Sequence, residues 1–112
     1  MTVLAVVSIS ARMLAESAVA DGFKVVALDL FGDADTRRAC AEWHSIGDPA
    51  SLSIDGGRLL SVLEALAQRR RGAGWIAGSG FEGRPDLLES GAALLPLIGT
   101  HAWEPPAPED ES

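Results

Sequence analysis

Glycine, serine and charge of both signs crowd into Gly78-Ser79-Gly80-Phe81-Glu82-Gly83-Arg84-Pro85-Asp86, directly after the short apolar run Trp75-Ile76-Ala77. Such a run reads as a buried strand, and glycines at its exit let the backbone turn tightly and come close to a ligand. Glu82 and Arg84 offer a charged pair that can orient a polar ligand, with Ser79 and Gly80 supplying a hydroxyl and open backbone. A local ion pair that merely fixes the loop is the other use of Glu82 and Arg84. Phe81 is expected to pack beneath the loop, with stacking on a ligand ring as the alternative. A second polar exit, Ser8-Ile9-Ser10-Ala11-Arg12, follows the apolar residues 3–7. The hydroxyls of Ser8 and Ser10, the first amides of the helix that follows, and Arg12 fit a carboxylate or phosphate. The plainer roles are a capping Ser10 and a solvated Arg12.

Several other chemistries do not fit the residues. A dinucleotide fingerprint needs three glycines in the first turn, where this chain has Ser8, Ser10 and Arg12. Asp29 lies at about the right distance for a ribose contact, yet without those glycines it reads more readily as an ordinary strand-end acid than as a ribose ligand. No glycine-lysine-serine or glycine-lysine-threonine triplet is present, so there is no P-loop. Ser79 lacks the flanking glycine spacing of a nucleophile elbow and a clearly placed histidine. Cys40, His44 and His101 have no zinc-site spacing, and a single cysteine excludes an internal disulfide. Cys40 reads as a small buried hydrophobe on a helix.

Composition narrows the class further. At 112 residues, with 47% apolar and 22% charged residues, the chain is expected to form one domain with a real core. The net charge of -7 is uneven: four of the sixteen acids fall in the last nine residues, so the remainder is only mildly acidic. A nucleic-acid partner is not expected, because the one basic cluster, Arg69-Arg70-Arg71, closes a helix where cations complement exposed carbonyls. No apolar stretch approaches a membrane span and no signal peptide is read, so a cytoplasmic protein without membrane contact is the expectation.

The two exits must be positioned by regular elements. The β-branched run at residues 3–9 predicts a central strand buried on both faces. Ala11, Leu14, Ala15, Ala18 and Val19 then share one helical face, with Ser10 placed to cap and Gly22 to stop it. Residues 23–30 predict a second strand ending at Asp29, followed by the polar turn Gly32-Asp33-Ala34-Asp35-Thr36. From a cap at Asp35 or Thr36 a short helix is expected through about Glu42, then an edge strand over 43–46 and loop over 50–54. Asp55 should cap an amphipathic helix carrying Leu59, Leu60, Leu63, Leu66 and Ala67. A strand over 75–77, a helix from Pro85 to about Ser90 weakened by Gly91, and a strand over 94–98 complete the pattern. Residues 101–112 read as an acidic, proline-rich tail or the start of a linker.

This alternation predicts a three-layer, Rossmann-like α/β sandwich with a parallel sheet of about five strands in the order 3-2-1-4-5. In such sheets ligands lie beyond the carboxyl ends of the strands where winding reverses, here between strands one and four. Both polar exits then flank one crevice, with Asp29 and the Asp33/Asp35 turn on its border.

The three blocks Ser8-Ile9-Ser10-Ala11-Arg12, Ala27-Leu28-Asp29-Leu30-Phe31-Gly32-Asp33-Ala34-Asp35-Thr36-Arg37 and Gly78-Ser79-Gly80-Phe81-Glu82-Gly83-Arg84-Pro85 together resemble the N-terminal portion of predicted ATP-grasp carboligases of methylotrophs and methanogens. The resemblance spans about residues 3–99 and implies a pre-ATP-grasp domain that helps bind the acceptor substrate and packs on ATP-binding lobes. It implies a small carboxylated or phosphorylated metabolite as ligand, and one-carbon metabolism as context. ATP and magnesium would be held by ATP-grasp lobes, which nothing after Gly99 supplies, so the chain alone is expected neither to hydrolyse ATP nor to ligate. Those lobes would act in cis or in trans; the acidic ending favours a free-standing module, and a homo-oligomer stays open. A non-enzymatic interaction or regulatory domain is the competing reading.

Overall fold

The structure, a computed structural model, describes residues 3–69, 73–81 and 83–99. Glu82, Arg70, Arg71 and the expected tail over residues 101–112 lie outside the described residues. Five strands form one parallel sheet: β1 (Val3–Val7), β2 (Lys24–Asp29), β3 (Glu42–Ser45), β6 (Gly74–Ala77) and β7 (Leu97–Gly99). The order is β3-β2-β1-β6-β7, the predicted 3-2-1-4-5 when strands of this sheet alone are counted. A separate antiparallel hairpin, β4 (Gly47–Asp48) with β5 (Ser53–Ile54), rises between β3 and the third helix.

Period-two alternation along β1 divides the core. Val3, Ala5 and Val7 face one side with Leu59, Leu63 and Leu66 of α3 (Gly56–Arg69) and Leu87 of α4 (Pro85–Leu94). Leu4 and Val6 face the other, with Ala15 and Ala18 of α1 (Arg12–Ala20). The short α2 (Ala34–Ala39) packs beside α1, so the molecule has three layers and is Rossmann-like. The leucines of α3 recur at one helical face, and burying each contributes about 1.5–3 kcal/mol. Asp55 caps this helix as expected, its Oδ1 accepting the Arg58 N–H at 3.2 Å.

Some boundaries differ from the local reading. Helix α4 runs through Gly91 to Leu94, so the last strand starts at Leu97 rather than 94. Gly91 is there for close approach: a β-carbon on it would lie 2.6 Å from Trp75 Cζ2, so the glycine admits the indole instead of ending the helix. Trp75 itself is fully buried, with Nε1 donating to the Leu95 carbonyl at 2.9 Å. Helix α2 begins after Asp33 and ends at Ala39, which leaves Cys40 extended beyond its end. Ser10 does not cap α1: the N-cap is Ala11, no side chain caps it, and the helix N-terminus is met by a carboxylate from β2.

Candidate functional site

Because β1 and β6 are parallel neighbours, with Val7 opposite Ala77, the two polar exits leave the sheet side by side. Main-chain bonds knit them together: Gly78 N–H donates to Val7 O at 2.6 Å and Ile9 N–H to Ser79 O at 3.1 Å. Side chains tighten the junction. Ser8, only 3% exposed, accepts the Ser79 N–H at 3.1 Å, and the two hydroxyl oxygens lie 3.0 Å apart. The exit of β2 joins the same end, where Ser8 N–H donates to Leu28 O and Leu30 N–H to Ile9 O. The three blocks quoted above are thus contiguous at the carboxyl edge of the sheet.

Asp29 is the buried charge of this end, 1% exposed. Its Oδ1 accepts Trp43 Nε1 at 2.7 Å and Gly32 N–H at 2.9 Å, while Oδ2 accepts Ala11 N–H at 3.0 Å. A carboxylate out of water needs such donors, and near a helix N-terminus it also complements the dipole. Asp29 therefore sits where the anion of a ligand would sit in related topologies, as an internal occupant of the N-terminus of α1.

The arginines diverge. Arg12 reaches Glu16 at 3.4 Å and Asp35 of α2 at 3.3 Å, both pairs about half exposed and so worth little on their own. Arg84 turns the other way and donates Nη1 to the Ile54 carbonyl of β5 at 2.6 Å. Ser10 and Ser79 are exposed, and Phe81 is buried under its loop with its ring 5.8 Å from that of Trp75. Gly80, at φ +107°, allows a contact no other residue would: a β-carbon there would lie 2.7 Å from Ile54 Cδ1 and 2.9 Å from Ile9 Cγ1. Of the expected site residues, Ser8, Ser79 and Gly80 meet at the junction and Asp29 supports it. Arg12, Ser10 and Arg84 border it without converging.

Two participants were not anticipated, Trp43 as a donor to Asp29 and Ile54 packed against Gly80. Only Ser53 and Ile54 of the residues read as loop pair as strand, and Leu52 before them is exposed at φ +51°, so two residues leave no period for the sequence to show. Beside them, a recess of about 240 Å³ opens between the hairpin and the start of α3, lined by Gly47, Asp48, Ser53, Asp55 and Arg58 among others. Its carboxylates are used locally, since Asp48 Oδ1 accepts the Ala50 N–H and Asp55 caps α3. Among the described residues no three or more His, Cys, Asp or Glu side chains are grouped to hold a metal ion, and no helix is long and apolar enough to cross a membrane. No family model matches the chain, and neither a curated protein nor a solved structure matches it.

Proposed function

We propose that this domain is a substrate-binding and docking module of the kind that precedes the lobes of an ATP-grasp carboxylate–amine ligase, without catalysis of its own. The observation that carries the reading is the direct bonding of the three resemblance-bearing blocks at one end of the sheet, through Ser8 to Ser79 and Asp29 to Ala11. Its ligand is a small carboxylated or phosphorylated metabolite, approached by the exposed Ser10, Ser79 and Arg12. ATP and magnesium belong to lobes supplied in cis or in trans, and the working compartment is the cytoplasm. Two measurements test this: copurification with an ATP-grasp protein, and thermal shift with Mg-ATP, citrate, glutamate and inorganic phosphate. Binding to the folded state raises the melting temperature by mass action. A chain that stays alone and responds to none of these probes overturns the proposal.

One observation favours the second reading, an interaction or regulatory domain that keeps the fold without a ligand. Asp29, Ser8 and Arg84 all spend polar capacity on partners within the chain. That reading predicts a flat thermal-shift profile together with a protein partner that is not a ligase.

A further inference from the structure

The β4–β5 hairpin lies outside the main sheet yet engages its strand exits twice. The Ile54 side chain, 2% exposed, packs with Ile9 against Gly80, and the Ile54 carbonyl occupies Arg84. Both ends of the hairpin are anchored: Ile46 is fully buried, and Asp55 N–H donates to Ile46 O at 2.7 Å while Asp55 caps α3. Between those ends, residues 48–53 are all exposed and only two residue pairs form the ladder. A short loop with tied ends and an exposed body has the anatomy of an Ω-loop, a frequent carrier of function.

We infer that the hairpin is a strap that plugs the strand-exit site with Ile54 and is latched by Arg84, so that an anionic ligand binds by displacing it. This rests on the reading of the exits as a ligand site. A guanidinium engages a carboxylate or phosphate more strongly, and in two-point geometry, than a single neutral carbonyl. An anion reaching Arg84 therefore competes with the Ile54 carbonyl. Once Ile54 lifts, the space beside Ile9 and over Gly80, which carries no side chain, becomes a slot for a small planar or apolar group attached to that anion. Lifting the strap leaves the side-chain bonds of Ser8, Ser79 and Asp29 as they are, because none of those partners lies on the hairpin, while the Asp29 carbonyl keeps the N–H of Ile46 at the hairpin's anchored end.

Methyl relaxation dispersion on the full chain tests this, with Ile54 and Ile9 as reporters and Val6 and Val26 as sheet controls, in wild type and Arg84→Gln. The strap predicts exchange shared by Ile54 and Ile9 but not by the controls. Loss of the charge-assisted latch raises the open population roughly tenfold or more in Arg84→Gln. Inorganic phosphate or citrate raises it in wild type and not in the variant. Absence of exchange at Ile54 in both proteins, or exchange shared equally with Val6 and Val26, overturns the strap. Exchange that is latched by Arg84 but indifferent to either anion upholds the strap and removes the anion-binding reading, so the two fail separately.

Discussion

The indole N–H of Trp43 donates to Oδ1 of Asp29 at 2.7 Å, tying the edge strand β3 to the carboxyl end of β2. The same carboxylate holds the first turn after β2 through Gly32 and the start of α1 through Ala11. Arg37 lies over the Trp43 ring at 4.7 Å from its centroid, so one indole carries a buried carboxylate on its edge and a cation on its face. Three elements meet at one side chain, which makes Asp29 a joint of the fold.

Replacing Asp29 should therefore unfold more than it disarms. Asp29→Ala leaves three inward-facing donors unmet and is expected to lower stability by on the order of 3–5 kcal/mol. Asp29→Asn keeps one accepting oxygen and should cost about half as much. Urea unfolding followed by tryptophan fluorescence measures both; a loss below about 1 kcal/mol for Asp29→Ala would show that the joint is not structural.

The serine pair has an asymmetric prediction. Ser8→Ala removes the acceptor of the Ser79 N–H from a buried position and should cost about 1–2 kcal/mol. Ser79→Ala removes an exposed hydroxyl, leaves that N–H contact in place, and should stay within about 0.5 kcal/mol. Equal losses in the two single variants would contradict the assignment of Ser8 as the accepting member.

Gly91→Ala sets two effects against each other. Helix propensity favours alanine by about 1 kcal/mol, whereas the new methyl would meet Trp75 at 2.6 Å in a close-packed core. Overpacking wins, and a net loss of about 1–3 kcal/mol is expected, with a changed near-ultraviolet dichroism from the tryptophans. A stabilised variant would mean that the indole has room to move.

Burial, and secondly the Asp29 charge, push the Cys40 thiol above its ordinary value. The neutral thiol is thus favoured in the folded chain, and alkylation by iodoacetamide should be slower than for a free cysteine at mildly alkaline pH. For stability the sign follows from a raised folded value: the contribution is whole below the ordinary thiol range and is lost as pH rises through the folded value. Comparing wild type with Cys40→Ala across alkaline pH checks this, and a wild type that gains stability relative to the variant as pH rises would refute it.

Much of the architecture was legible because its signals are local. The unbroken apolar run of β1 marks a strand buried on both faces, and the leucine spacing of α3 marks one buried helical face. The alternation of such elements leaves few parallel topologies, and the sheet order follows. Local signals misled where a residue's role depends on a distant neighbour. Gly91 looked like a weak point at a helix end because nothing near it in sequence announces Trp75. Ser10 looked like a cap because the true occupant of that helix end, Asp29, lies eighteen residues away.

What the amino-acid order determined by itself was the succession of the main-sheet strands and their helices and the meeting of the two polar exits, since periodicity and parallel winding together dictate which strands are neighbours. Which side chains hold one another was decided only in three dimensions: Ser8 with Ser79 across 71 residues, Arg84 with Ile54 across 30. A hydrogen bond depends on where two elements come to rest to within a few tenths of an ångström. Spacing along the chain carries the identity of an element, and packing alone fixes that last distance.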